Sequence, residues 1–163
     1  AACLRYFNAA GAHNSGNIGE ERNPETHLIP NILKSALVED VPFRIFGNDY
    51  PTADGTCIRD YVHVEDLARA HILALRHIDA ECGFADFNLG NGNGFSVLEV
   101  FESCEKVVGR KLNYEIVDKR PGDPAVLVAD SSKAKKILNW HPEFDSLDEI
   151  VGSAWNWHSG LKT

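Results

Sequence analysis

The hydrophobic positions of this chain follow two alternating patterns. Short apolar runs typical of buried strands occur at residues 1–7, 43–46, 59–63, 85–89 and 112–117. Apolar residues at helical spacing lie between and after these runs, at residues 26–37, 65–78 and 96–108 and in shorter stretches after Ser132 and Ser146. Alternating helices and strands predict an α/β fold, and no linker divides residues 1–163 into separate domains.

Local signals mark the ends of some of these elements. Ser96 and Glu99 have the spacing of a capping box, and Gly109 predicts the end of the same helix. Residues 8–25 are polar and contain several glycines, so we expect a long loop there. A loop of this length in a compact domain is usually functional or mobile.

Composition narrows the class of protein. The net charge of −8 argues against nonspecific binding to nucleic acid or to a membrane surface, because both need a basic face. No apolar run approaches the roughly 18–20 residues of a membrane span. The four cysteines (Cys3, Cys57, Cys82 and Cys104) are scattered without a C-x-x-C pair, which favours reduced thiols in a cytoplasmic protein.

Several motifs of known chemistry are absent from the sequence. It contains neither a phosphate-binding P-loop nor a nucleophile elbow. No two histidines have H-x-x-x-H spacing, so we expect no metal site. Residues 90–94 (Gly-Asn-Gly-Asn-Gly) follow a predicted strand and precede a predicted helix, as a dinucleotide-binding turn does. The alternative is a tight structural turn whose glycines adopt positive φ.

Residues 46–67 carry the strongest candidate chemistry. Phe46 ends a predicted strand, and its ring can stack on a nucleobase or belong to the core. Arg59 begins the next strand, and it can bind phosphate oxygens or form an ion pair with Asp60 or Glu65. Residues 120–123 (Arg-Pro-Gly-Asp) form a turn that can recognise a phosphate and a ribose, or can satisfy its own charges at the surface.

A series of motifs then appears in a fixed order along the chain. They are residues 4–8 (Leu-Arg-Tyr-Phe-Asn), 11–13 (Gly-Ala-His), 26–30 (Thr-His-Leu-Ile-Pro), 46–52 (Phe-Gly-Asn-Asp-Tyr-Pro-Thr), 54–56 (Asp-Gly-Thr), 59–64 (Arg-Asp-Tyr-Val-His-Val), 88–90 (Asn-Leu-Gly) and 120–123. In this order the chain resembles the C-terminal half of the UDP-glucose 4-epimerases (UDP-galactose 4-epimerases), which belong to the extended short-chain dehydrogenase/reductase superfamily. The resemblance implies the C-terminal part of an NAD(P)-binding Rossmann-like fold: the last strands of the sheet and a small α/β substrate-binding subdomain, without the N-terminal NAD-binding domain.

The resemblance also implies roles for individual residues. Tyr6 would lie against the nicotinamide of NAD, and Asn8 would contact the diphosphate or sugar of the substrate. His27 and Leu28 would contact the UDP, although some members have asparagine in place of His27. Leu127 falls where the family varies side-chain size to admit or exclude N-acetylated sugars.

Five further residues would hold the nucleotide. Arg44 and Phe46 would bracket the uracil, with Phe46 stacking on it. Arg59 and Arg120 would bind the diphosphate, and Asp123 would bind the uridine ribose.

The family interconverts UDP-galactose and UDP-glucose through a 4-keto sugar, using NAD and the tyrosine and lysine of a Tyr-x-x-x-Lys motif. None of the four tyrosines here is followed by lysine at that spacing, so we expect no catalytic residue in this chain and no activity from it alone. The first residues read as a strand without a methionine, and we therefore expect the C-terminal part of a longer, homodimeric, cytoplasmic enzyme. The alternatives are half of a related nucleotide-sugar epimerase, dehydratase or decarboxylase, and a standalone UDP-sugar-binding module without catalysis.

Overall fold

The computed structural model describes residues 1–38, 42–81 and 83–160. Within these ranges the strands are β1 (Ala2–Tyr6), β2 (Asn8–Ala10), β3 (Phe43–Phe46), β4 (Ile58–Arg59), β5 (Tyr61–His63), β6 (Ala85–Leu89), β7 (Phe95–Ser96), β8 (Tyr114–Val117) and β9 (Val126–Leu127). The helices are α1 (Leu28–Leu37), α2 (Val64–Ala80), α3 (Val97–Val108), α4 (Ser132–Leu138) and α5 (Leu147–Gly160). The α/β prediction is confirmed.

The strands pair mainly in parallel. β1 pairs with β6, β2 with β5 and β3 with β8, each in parallel. β4 lies between β7, which is antiparallel to it, and β9, which is parallel. Parallel pairing places the carboxyl ends of paired strands at the same edge, which is where α/β proteins bind ligands.

Two apolar clusters form the core. The first joins α1, α3 and α5 through buried residues that include Ile32, Phe101 and Ile150. The second packs α2 and α4 against β5 and β6, and the Trp140 ring is buried within it. No helix in the described ranges has the length and hydrophobicity that crossing a membrane requires.

Helix prediction succeeds better than the prediction of short strands. α3 begins at Val97 with the predicted Ser96–Glu99 capping box at its start, and its C-cap is Gly109 in the left-handed conformation. The predicted loop at residues 8–25 is wrong at its start, because Asn8–Ala10 pair with β5. The predicted strand at residues 59–63 is two strands separated by Asp60. Cys82 lies outside the described residues; Cys3, Cys57 and Cys104 are free thiols.

The Asp60 carboxylate joins three segments of the chain. Asp60 is fully buried. Its oxygens accept hydrogen bonds from the backbone N–H groups of Asn91 (2.9 Å), Gly92 (3.1 Å) and Ala129 (3.1 Å). Charged acceptors make stronger hydrogen bonds than neutral ones. Asp60 therefore fixes the loop after β6 and the segment after β9 to the β4–β5 junction.

This contact explains the glycines at residues 90–94. Gly92 adopts the positive φ of +80° that was predicted, but Gly90 does not. A Cβ atom on Gly90 would lie 2.4 Å from the Asp60 carboxylate oxygen, so Gly90 is needed for space. Because two amides of this loop already bind Asp60, the alternative of a dinucleotide-binding turn is not favoured.

A second polar contact in the core involves His63 and Ser153. The His63 ring is fully buried and stacks on Phe144 at 4.0 Å between centroids. Its Nε2 lies 3.0 Å from the Ser153 hydroxyl, while Nδ1 accepts a hydrogen bond from the Glu65 amide. Burial lowers the pKa of His63, against the attraction of Asp66 and Glu65. The imidazole is therefore held in its neutral form.

We expect Asp60→Asn to reduce the free energy of unfolding by about 2–4 kcal/mol, because the new amide group faces at least one backbone N–H donor that then has no acceptor. Urea unfolding followed by circular dichroism measures this loss. The matched control is Asp86→Asn, which removes a carboxylate bound to Arg5 and Lys133 at the surface and should have a much smaller effect. Equal losses in the two variants would contradict the assigned role of Asp60.

The lowered pKa of His63 predicts acid sensitivity. An unfolded histidine titrates near about 6.5, so His63 contributes stability above that pH and loses it as the pH falls towards the lower folded pKa. The loss is at most about 1.4 kcal/mol for each pH unit. Unfolding free energies at pH 7.5 and 5.5 should differ less in His63→Gln than in the unsubstituted chain. A pH dependence unchanged by the substitution would refute the prediction.

Candidate functional site

A cavity of about 1230 Å³ opens on the described part of the chain, with lining residues between Tyr6 and Asp123. It is lined by segments distant in sequence, including the β1–β2 junction, the start of α1, β3 and the loop after β8. Nine of the ten predicted site residues line it: Tyr6, Asn8, His27, Leu28, Arg44, Phe46, Arg59, Arg120 and Asp123. The tenth, Leu127, pairs with Arg59 in the β4–β9 register but does not line the cavity.

Strand register brings Phe46 and Arg120 together. β3 and β8 are parallel, and Phe46 pairs with Val117 at their shared carboxyl end. The chain leaves β8 there and returns over β3, so that the Arg120 guanidinium lies 3.9 Å from the centroid of the Phe46 ring. Phe43, at the other end of β3, packs near Phe101 in the core. Of the two interpretations of Phe46, the structure favours the one with its ring at the cavity.

Arg59 organises one wall of the cavity. Its guanidinium is largely buried and donates hydrogen bonds to the Asp123 carboxylate (3.1 Å) and the Pro124 carbonyl (2.8 Å). The alternative of an ion pair with Asp60 or Glu65 is therefore wrong, because the carboxylate partner of Arg59 is Asp123. Asp60 binds backbone amides, and Glu65 accepts a hydrogen bond from the Asn14 amide (2.9 Å). Arg59 holds the 120–124 turn against β4.

The 120–123 turn does not satisfy its own charges. Its backbone closes through a hydrogen bond from the Asp123 amide to the Arg120 carbonyl (3.3 Å). The Asp123 carboxylate pairs with Arg59, however, and Arg120 has no carboxylate partner in the described part of the chain. The alternative of a self-satisfied surface turn is therefore wrong.

Arg44 is held by its neighbour across the sheet. It pairs with Glu115 in the β3–β8 register, and its Nε lies 2.7 Å from the Glu115 carboxylate. Both side chains are well exposed, so the pair can open at small cost.

The start of α1 forms another wall of the cavity. The Glu25 carboxylate accepts hydrogen bonds from the amides of Thr26 and His27 at 2.9 and 3.0 Å and from the Lys34 ammonium at 2.9 Å. Burial works to raise the pKa of Glu25, but these donors outweigh it and hold the pKa below its usual value. Glu25 thus fixes the segment that leads into α1, which begins at Leu28.

Three groups in this wall lie close enough to hold a cation. The His27 Nδ1 atom is 2.6 Å from a Glu20 oxygen, and ligand atoms of Glu20, Glu25 and His27 all lie within 4.8 Å of one another. Lys34 already binds Glu25, and Arg22 lies 3.7 Å from Glu20. Lys34 and Arg22 thus already offset the negative charge of Glu25 and Glu20 that would attract a metal ion.

Asn8 and Tyr6 lie at the β1–β2 junction, where the resemblance predicts contact with the substrate and with the cofactor respectively. Asn8 donates its side-chain amide to the Asp60 carbonyl at 2.8 Å, which fixes its orientation. The Tyr6 ring is 48% exposed and lies 6.1 Å from the His71 ring. Tyr6 thus offers an open aromatic face suited to a flat ligand such as nicotinamide.

Several residues of the site carry no local signal in the sequence. Three of them, Glu20, Arg22 and Glu25, lie in the predicted loop at residues 8–25. The length of that loop indicates a functional segment, but it does not indicate which residues line the cavity. Glu115 was missed because its position opposite Arg44 follows only from strand register.

Two buried groups near Arg59 were also missed. Cys57 lines the cavity, and burial raises the pKa of its thiol although Arg59 opposes the shift. The Tyr50 hydroxyl is buried and has no hydrogen-bond partner among the described residues. No motif in the sequence indicates a role for Cys57 or Tyr50.

Comparison with known proteins gives one consistent family. Residues 1–90 match the model of the NAD dependent epimerase/dehydratase family. The chain is 55% identical to a UDP-glucose 4-epimerase of Halalkalibacterium halodurans over 156 residues, which are 96% of this chain and 47% of that protein. A UDP-glucose 4-epimerase of Bacillus subtilis is 45% identical and is also covered over 47% of its length. The chain thus spans about half the length of the curated relatives it matches.

Solved structures agree with these relatives. A UDP-glucose 4-epimerase crystal structure superposes with a TM-score of 0.95 at 48% identity, covering 99% of this chain and 49% of that one. The enzyme of Bifidobacterium longum, solved in complex with NAD+ and UDP, gives a TM-score of 0.92 at 43% identity over 99% of this chain and 48% of its own. These matches confirm the resemblance and the Rossmann-like fold that it implied. The chain belongs to the NAD dependent epimerase/dehydratase family.

Proposed function

We propose that this chain supplies the UDP-sugar-binding part of a UDP-glucose 4-epimerase, an isomerase that uses NAD. The observation that carries the proposal is the single cavity that contains Phe46, Arg59, Arg120 and Asp123. An aromatic face, guanidinium groups and a carboxylate match the base, diphosphate and ribose of UDP respectively. The match to relatives named UDP-glucose 4-epimerase favours this activity over that of a related dehydratase or decarboxylase.

The proposed roles follow from the contacts of each group. Phe46 stacks on the uracil, with Arg44 beside it on β3. Arg120, which has no carboxylate partner among the described residues, binds the diphosphate together with Arg59. Asp123 is held in place by Arg59 and binds the ribose. Most Arg59 donors are already engaged, so Arg120 supplies the larger part of the phosphate contact.

Three more residues complete the proposed pocket. His27 and Leu28 contact the UDP at the start of α1, where helix N–H groups favour an anion. Asn8 contacts the diphosphate or sugar. Leu127 stays a prediction for the range of sugars, because it lies outside the cavity lining.

The cofactor assignment rests, in this chain, on Tyr6. NAD supplies a hydride acceptor at the sugar C4 when bound. Among the described residues that line the cavity, Tyr6 offers an aromatic surface that fits its nicotinamide. The sequence contains no Tyr-x-x-x-Lys, so the proposed work of these residues is to bind and orient the substrate. We further propose that the complete enzyme is a cytoplasmic homodimer.

We expect UDP to bind this chain weakly, because the chain spans about half of the related enzymes. Phe46→Ala should weaken UDP binding by about five- to one-hundred-fold, through the loss of base stacking. Saturation-transfer NMR of the uracil protons measures both affinities. Phe84→Ala is the matched control, because the Phe84 ring is 73% exposed and does not line the cavity. Tight UDP-galactose binding, or no effect of Phe46→Ala, would contradict the proposal.

We expect no conversion of UDP-galactose to UDP-glucose by the chain alone with added NAD, because no proton-transfer pair is present. A coupled assay with UDP-glucose dehydrogenase measures the product. Joining the chain to the part of the H. halodurans relative that it does not cover should give turnover. Arg120→Ala in that chimera should reduce it. Turnover by the chain alone would refute the first expectation, and an inactive, folded chimera would refute the epimerase assignment.

A further inference from the structure

We propose that Arg120 determines specificity by covering the Phe46 ring, so that it weakens the binding of uridine, which has no phosphate, and favours the binding of UDP. The proposal rests on the function proposed above and adds a second role for Arg120. In that function Arg120 attracts a phosphate. Here it also competes with any base that would stack on the same face of Phe46.

The geometry of the pair supports competition. The Arg120 guanidinium carbon lies 3.9 Å from the Phe46 ring centroid, the separation of direct stacking. A uracil stacked on that face would occupy the same space as the guanidinium. Cation–π contacts of this kind are stabilising, so the face is not freely available. A base must displace Arg120 before it can stack on that face.

The other arginines of the cavity are differently placed. Arg44 pairs with Glu115, Arg59 with Asp123, and Arg22 with Glu20. Arg120 alone among these described arginines has an aromatic ring as its partner and no carboxylate. It can therefore leave the ring for an anion without breaking an ion pair. The diphosphate of the ligand is such an anion.

These two properties have opposite effects on two ligands. Uridine displaces Arg120 and offers no phosphate in return, so the lost cation–π contact weakens its binding. UDP displaces Arg120 and then receives its guanidinium on the phosphate, which forms a charge-assisted hydrogen bond. The Arg120 side chain thus weakens the binding of the nucleoside and strengthens the binding of the nucleotide.

The test is the affinity of uridine and of UDP for Arg120→Ala, measured by saturation-transfer NMR on the 163-residue chain. Removing Arg120 should tighten uridine binding about two- to fivefold, since the competing cation–π contact is gone. UDP binding should weaken about tenfold or more, since a charged hydrogen bond is lost. A residue that only binds phosphate would leave uridine affinity unchanged.

Two further variants control the experiment. Arg120→Lys keeps the charge but loses the planar guanidinium, so it should retain most UDP affinity while uridine binds somewhat more tightly. Lys119→Ala removes the neighbouring cation, which lies over the Tyr50 ring and not in the cavity lining, and should leave uridine affinity unchanged.

The outcomes separate this inference from the proposed function. If UDP binds the unsubstituted chain and Arg120→Ala weakens UDP without strengthening uridine, the competition is overturned while the UDP site stands. If the uridine signal with Arg120→Ala is no stronger than with the unsubstituted chain, the competition is likewise overturned. If UDP does not bind the unsubstituted chain, the proposed function fails and this inference fails with it. Weaker UDP binding together with tighter uridine binding by Arg120→Ala supports both the UDP site and the competition.

Discussion

The site depends on a buried carboxylate that never reaches the cavity. Asp60 interrupts the path between β4 and β5 and binds backbone amides from two distant loops. Its neighbours Arg59 and Tyr61 both line the cavity. Because Asp60 fixes the backbone between them, the direction of the Arg59 side chain follows from a structural contact. The turn that carries Asp123 is placed in the same way, through Arg59.

The cavity shows how a binding surface for an anion can be assembled inside an acidic protein. Apart from Arg120, the three arginines that line it, Arg22, Arg44 and Arg59, are each paired with a carboxylate among the described residues. These pairs hold the guanidinium groups in place before a ligand arrives. Pre-positioned donors lose less side-chain entropy on binding than free ones.

Sequence reasoning was sufficient where the signal is local. The periodicity and caps of α3 predicted a helix that begins and ends as observed. β7 and β9 contain two residues each, and their hydrogen bonds come from strands distant in sequence, so no local pattern could reveal them. Arg59 shows the same limit: the sequence offers Asp60 and Glu65 as nearby partners, whereas the fold brings the Asp123 carboxylate to it.

The resemblance to a known family predicts more of the site than composition and residue spacing do. Composition and spacing left base stacking by Phe46 and phosphate binding by Arg59 as open alternatives, and the ordered motifs selected among them. The structure then added what the motifs could not contain, namely that Arg120 rests on Phe46. Such a contact depends on the register of β3 and β8, which is set by the whole sheet.

The paired charges of the cavity have a consequence for the speed of binding. Four arginines and four carboxylates line it, so its field at long range is close to that of a neutral surface. The chain as a whole carries a net charge of −8 and repels an approaching nucleotide. Association is then not steered by electrostatics, and dissolved salt accelerates it by screening the repulsion, opposite to the behaviour of proteins with a basic binding cleft.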